Sequence, residues 1–156
     1  MRSALFILLA LAVVPAWAVD MTPMGAPEAA VDKLAAARKQ IAAKQWPEAI
    51  SELKRVNDSG NADWNNLMGY SLRKQAVPDL AAAERHYDAA LRIAPRHRGA
   101  LEYSGELMLM KADLPKAEER LAQLARACAS ACEEHADLKK SIERYKAAGN
   151  KFVSAP

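Results

Sequence analysis

The chain has 156 residues, with 22 Lys and Arg against 19 Asp and Glu and a formal net charge of +3. No basic run or stripe stands out, which argues against nucleic acid as the partner; acidic and basic residues alternate as on solvated helix faces. Alanine is abundant and glycine scarce, a mixture that favours helix, because Ala loses no side-chain entropy there and Gly loses the most backbone freedom.

The first eighteen residues read as a secretory leader. Met1-Arg2-Ser3 is a short positive start, Ala4 to Val14 is apolar, and Pro15-Ala16-Trp17-Ala18 ends in the A-x-A pattern of leader-peptidase sites. The apolar run falls short of the roughly 18–20 residues of a spanning helix, and nothing later is long and apolar enough to span. Cleavage after Ala18 is expected to leave one soluble domain, periplasmic or secreted. The only cysteines are Cys128 and Cys132, so none follows the cut site to take a lipid.

Residues 19–27 read as a flexible lead-in. Helical periodicity begins near Glu28, with Val31, Leu34 and Ile41 along one face. Trp46-Pro47 restarts a helix, since proline's missing N–H is not needed in the first turn, and Ile50, Leu53 and Val56 follow inward. Asn57 to Asn61 stops it, with Gly60 available for the left-handed conformation of helix ends. The next helix has Asn61 or Asp63 as N-cap and turns Trp64, Leu67, Met68 and Leu72 inward. Gly69 in its middle predicts the close approach of a neighbouring helix. Asp79 caps a helix carrying Leu80, Ala83, Tyr87, Ala90 and Leu91, which Pro95 ends. Leu101, Ser104, Gly105, Met108 and Leu109 mark the following helix. Asp113 then caps one that Pro115 starts, with Ala117, Leu121 and Leu124 buried. A last, unpaired helix at 133–148 has Leu138, Ile142 and Tyr145 inward, and residues 149–156 form a frayed tail.

Trp46, Leu80 and Leu114 open three segments spaced 34 residues apart, and the columns Ala49/Ala83/Ala117, Leu53/Tyr87/Leu121 and Val56/Ala90/Leu124 are apolar or small throughout. This helix-turn-helix period, with Ala83-x-x-x-Tyr87-x-x-Ala90 followed by Pro95 and with Gly105 twelve residues before Ala117, resembles the tetratricopeptide repeat family. The resemblance implies an all-α domain at 28–148: a right-handed superhelical array of three helix pairs, at about 28–60, 61–95 and 96–128, closed by the helix at 133–148. The sequence also departs from the family pattern. Gly69 precedes Ala83 by fourteen residues, so the turn at Gln75 to Pro78 is expected to be two residues longer and the link before that repeat shorter by as much. In the first repeat Ala36-Ala37 and Lys33 replace the usual Leu-Gly and Trp.

By the same resemblance, the first helix of each pair lines a concave surface. Its inner positions here are Leu34, Arg38, Ile41, Asn66, Tyr70, Arg73, Lys74, Glu102, Glu106, Leu109 and Met110. Candidate partner-binding residues among them are Arg38, Asn66, Tyr70, Arg73, Lys74, Glu102, Glu106 and Met110, with basic Arg73 and Lys74 opposing acidic Glu102 and Glu106. The carboxylate clamp of some family members is absent, since Leu34 and Arg38 stand in place of its Lys and Asn. Charge reversal at Arg73 and Lys74 is expected to weaken binding without unfolding the domain.

Cys128 and Cys132 are expected to pair, as cysteines of exported proteins do. In one regular helix their Cβ atoms would lie roughly 5–6 Å apart, against the roughly 3.5–4.5 Å of a disulfide, so the segment should leave helical geometry there. The alternative takes Cys128, Cys132 and His135 as soft metal ligands, assisted by Met108 and Met110 if the fold brings them near, in a metal-handling or redox accessory protein. His86 and His97 are expected in solvent, Trp46 in the core and Tyr70 at the surface. No Ser-His-Asp, Walker or Gly-rich phosphate pattern is present. The expected function is a non-enzymatic scaffold, without cofactor, whose partner is a protein or peptide.

Overall fold

A computed structural model describes residues 31–129 and 132–153. The expected leader, the lead-in and the last three residues of the tail lie outside this range. The described residues form seven α-helices: α1 Ala35–Ala42, α2 Trp46–Val56, α3 Ala62–Lys74, α4 Leu80–Ile93, α5 Arg98–Met110, α6 Leu114–Ala127 and α7 Glu133–Ala147. None is long and apolar enough to cross a membrane.

The starts follow local chemistry. Asn61, Asp79 and Asp113 each accept a backbone N–H of the first turn, from Trp64, Ala82 and Lys116, and so satisfy a donor the helix cannot. Pro47 and Pro115 sit in first turns. The ends differ from expectation at one place: Asn57, at φ 50°, takes the left-handed position after α2, and Gly60 does not. Lys44 and Ala112 occupy the same place in the short turns before α2 and α6, both with positive φ, at 58° and 60°.

The helices α2, α4 and α6 begin 34 residues apart, at Trp46, Leu80 and Leu114, as the columns require. The turn before α4 is indeed two residues longer than the one before α6. The compensation is elsewhere than expected. The link before α3 is not shortened; instead α2 has 11 residues where α4 and α6 each have 14. The first helix also starts later than its periodicity suggests: α1 begins at Ala35, so Val31 precedes it and is exposed.

Helices pack as α1 with α2, α3 with α4 and α5 with α6, and each also touches the next in sequence. In addition α1 touches α3, α3 touches α5 and α5 touches α7, whereas the backbones of α2, α4 and α6 stay apart; an ion pair of Arg120 with Asp88, at 3.7 Å, reaches from α6 to α4. Two apolar clusters result. Leu34, Ala37, Ile50, Leu53, Trp64 and Met68 form the first, where the Trp64 indole N–H also donates to the Leu53 carbonyl at 2.7 Å. The second joins Tyr87, Leu101, Leu107, Leu124, Leu138, Ile142 and Tyr145. Leu72 packs against both. Burying each such Leu or Ile side chain is worth about 1.5–3 kcal/mol, so the last helix is held by its apolar stripe.

The two interior glycines mark close approaches. A Cβ on Gly69 would meet the Tyr87 ring at 2.8 Å and the Ala83 carbonyl at 3.1 Å; one on Gly105 would meet Leu138 at 2.5 Å and Arg120 Cβ at 3.3 Å. Gly69 thus admits α4, and Gly105 admits α6 and α7.

Candidate functional site

The contacts between α3 and α5 form a ladder of three rungs. Asn66 lies against Gly99, Tyr70 stacks on Tyr103 with ring centroids 4.6 Å apart, and Arg73 Nη2 pairs with Glu106 Oε2 at 2.8 Å. Every rung joins residues 33 positions apart, so the two helices run parallel. Equivalent residues of the two helices, such as Gly69 and Gly105, are 36 apart. The helices α3 and α5 therefore meet with a shift of three residues, close to one helical turn.

The lowest rung continues into a polar chain. The Arg73 guanidinium packs over the Tyr70 and Tyr103 rings, 5.6 and 5.7 Å from their centroids, and its Nε donates to the Tyr87 hydroxyl at 3.4 Å. Ser141 Oγ donates to Glu106 Oε1, and Arg144 donates to Ser141. Four helices, α3, α4, α5 and α7, are tied by these groups. Burial pushes the Tyr87 hydroxyl well above its ordinary range, so it stays neutral.

This changes the reading of several candidates. Arg73 is only 4% exposed, so its charge is held inside the fold, while Lys74 one residue on is exposed. Asn66 and Glu102 are also buried, and Leu34 and Leu109 belong to the core. Glu106, Tyr70 and Met110 are half-buried. Arg38 remains accessible and pairs with Asp63 and Asp32 at 3.0 and 3.7 Å. Trp46, expected in the core, is half-buried with its edge against Tyr70. Tyr103, Ser141 and Arg144 were not anticipated. Tyr103 is recognisable only through the three-residue shift, which pairs it with Tyr70.

The two histidines are not free in solvent. Ala100 N–H donates to His97 Nδ1, which makes His97 the N-cap of α5, so the ring proton is on Nε2 and donates to Asp63 at 2.8 Å. Burial works to raise the Asp63 carboxyl, but the bonds from His97 and Arg38 outweigh it and hold it below the ordinary range. His86 lies edge-on to Trp64. Asn65 already uses its amide nitrogen on the Ser59 and Asn61 carbonyls, so His86 Nδ1 donates to its Oδ1. Burial lowers the His86 pKa, with help from Arg85.

Cys128 and Cys132 are joined, with Cα atoms 5.9 Å apart. Cys128 is the C-cap of α6 and Cys132 the N-cap of α7, both with extended backbone, so the two cysteines do not share one regular helix, as the spacing requires. With both sulfurs bonded to each other, the ligand set Cys128, Cys132 and His135 is not assembled. Among the described residues no group of three His, Cys, Asp or Glu side chains is placed to hold a metal. A cavity of 570 Å³ opens beside the disulfide, where Arg96 donates to the last carbonyls of α6. A second, of 190 Å³, lies between Lys74, Met110, Arg144 and Phe152.

Glu102 stands out among the candidate residues. Burial first, then the charges of Glu106, Asp137 and Glu134, push its carboxyl up to about 8, with Arg73 opposing. No protein-family model, curated protein or solved structure gives a significant match to the chain.

Proposed function

We propose that the chain is an exported repeat domain of the tetratricopeptide type that binds a protein or peptide partner along the face formed by α1, α3, α5 and α7, without catalysing a reaction. The observation that carries this reading is the asymmetry of packing: the backbones of α1, α3, α5 and α7 approach in series, whereas those of α2, α4 and α6 stay apart, with only the Arg120–Asp88 ion pair reaching between α6 and α4. Helices that crowd on one side and spread on the other make a curved layer, and its crowded side is the concave one. The 34-residue spacing of the outer helices and the small residues at close approaches support the same family. Export rests on the leader-like residues 1–18, and places the partner in the periplasm or outside the cell.

Site-specific photo-crosslinking in the native cell tests the binding face. A benzophenone residue at Lys74 or Asp137 is expected to capture a defined partner, and one at Arg85 or Glu119 on the outer helices is not. Equal adducts from the outer positions would remove the assignment.

A further inference from the structure

The cavity of 190 Å³ beside Lys74 has an apolar wall that the chain turns back to build. Gly149 and Asn150 both take left-handed backbone after α7, with φ of 67° and 61°, and the Asn150 N–H donates to the Tyr145 carbonyl at 3.0 Å. The turn brings Phe152 and Val153 into one lining with Met110 and Pro78. Phe152 remains 38% exposed and Val153 50%, so apolar surface stays open to solvent there.

The charged part of the lining is unbalanced. It holds Arg73, Lys74 and Arg144 against the single carboxylate of Glu106. Both oxygens of Glu106 are already engaged, Oε2 by Arg73 Nη2 at 2.8 Å and Oε1 by Ser141 Oγ at 3.1 Å. Lys74 and Arg144 form no ion pair among the described residues, and Arg144 Nε has no hydrogen-bond acceptor. Arg144 Nη2 donates to Ser141 Oγ at 2.9 Å, which fixes the guanidinium in the wall while its Nε–H keeps a donor for a carboxylate oxygen. Lys74 adds a second, more mobile positive charge.

Size, charge and surface together define an occupant. The volume of 190 Å³ is below the roughly 300–1,000 Å³ of pockets that enclose a small-molecule ligand, and suits one side chain of a longer chain. The surplus of positive charge selects an anionic one, and the exposed apolar wall selects an apolar neighbour. We infer that this cavity receives an Asp or Glu side chain of the partner, held by Lys74 and Arg144, with an adjoining apolar residue of the same peptide against Phe152 and Val153. This inference rests on the inner-face reading above and specifies the partner's chemistry. Lys74 is exposed and meets the carboxylate first; Arg144 Nε is covered and is reached as the side chains around it shift.

The test is an NMR titration of the intact, isotope-labelled protein with acetyl-Leu-Glu-Leu-amide and with its counterparts acetyl-Leu-Gln-Leu-amide, acetyl-Ser-Glu-Ser-amide and acetyl-Leu-Lys-Leu-amide. The Leu-Glu-Leu peptide is expected to shift the Arg144 Nε–H, the Lys74 and Gln75 backbone and the Phe152 ring. Lys74→Gln should weaken it about fivefold or more, whereas Lys54→Gln on outer α2, which removes the same charge, should change nothing. Arg144→Gln should weaken it as well; because that change also removes a contact to Ser141, the exposed and unpaired Lys74 keeps the test independent of folding. Equal binding of the glutamine or the serine peptide, unchanged affinity in Lys74→Gln, or no response to the Leu-Glu-Leu peptide overturns the inference. So does acetate that reproduces the shifts at the same concentration, or a chain ended at Val153 whose Lys74 and Arg144 signals move without peptide, which would give the cavity to the protein's own last residues. If the lysine peptide alone shifts the inner row, the inference falls and the inner-face reading stands. If the peptides shift only α2, α4 and α6, both fall.

Discussion

Arg73 and Lys74 look interchangeable in the sequence and are opposite in the fold. One residue is a rotation of about 100° around a helix, enough to turn Arg73 onto Tyr87 and Glu106 while Lys74 faces water. The expected charge reversal must therefore be split. Removing one partner of a buried pair costs about 3–5 kcal/mol, and Glu106 is partly open to solvent, which moderates the loss. Arg73→Ala is expected to destabilise by about 3 kcal/mol in urea denaturation, whereas Lys74→Glu stays within about 0.5 kcal/mol. Equal effects would show that Arg73 is no anchor. The family resemblance placed both residues on the inner row, but it could not say which of them was buried. That depended on Tyr103 and Ser141, contributed by other helices. His97 was misread for a related reason: a histidine is seldom an N-cap, so only the backbone of α5 reveals the role.

At the level of helices, the outer row was readable because its starts carry strong punctuation. Asp79 and Asp113 cap their own first turns with their side chains, and Pro47 and Pro115 need no partner outside theirs, so this chemistry is local and survives in any fold. The inner row lacks such marks at α1, which has no side-chain cap and a late start. The shortening of α2 was also hidden, because Asn57 and Gly60 both suit a left-handed turn and only one was used. The glycines allow a direct check on packing. Gly105→Ala drives a methyl into fully buried Leu138 and should cost about 1–3 kcal/mol. Gly60→Ala has open space and ordinary φ, and should be neutral within about 0.5 kcal/mol. Thermal unfolding of the two variants measures the difference. A Gly105→Ala protein as stable as the parent would show that α7 does not seat where the packing has it.

For the molecule as a whole, α7 is held twice: by Leu138, Ile142 and Tyr145 against the second cluster, and by the Cys128–Cys132 bond at its start. The cysteines are four positions apart, so the bond closes a very small loop, and the chain-entropy gain is about 2 kcal/mol. Reduction should lower the melting temperature by roughly 5–10 °C without dissolving the helices; circular dichroism with and without reductant checks both parts. Complete loss of helicity would mean that the apolar stripe alone cannot keep α7 in place.

The packing order has a mechanical consequence. Among the described residues no helix touches a helix beyond the second on either side of it in sequence, so tension applied between α1 and α7 meets no clasp there that closes the row as a ring would. Load passes from pair to pair through the contacts of α2 with α3 and of α4 with α5, together with the smaller ones of α1 with α3 and α3 with α5. The weakest seam opens first, and the array unzips in turn instead of failing at once. A partner gripping several helices along the proposed inner row would act as a splint, adding a long-range tie absent among the described residues.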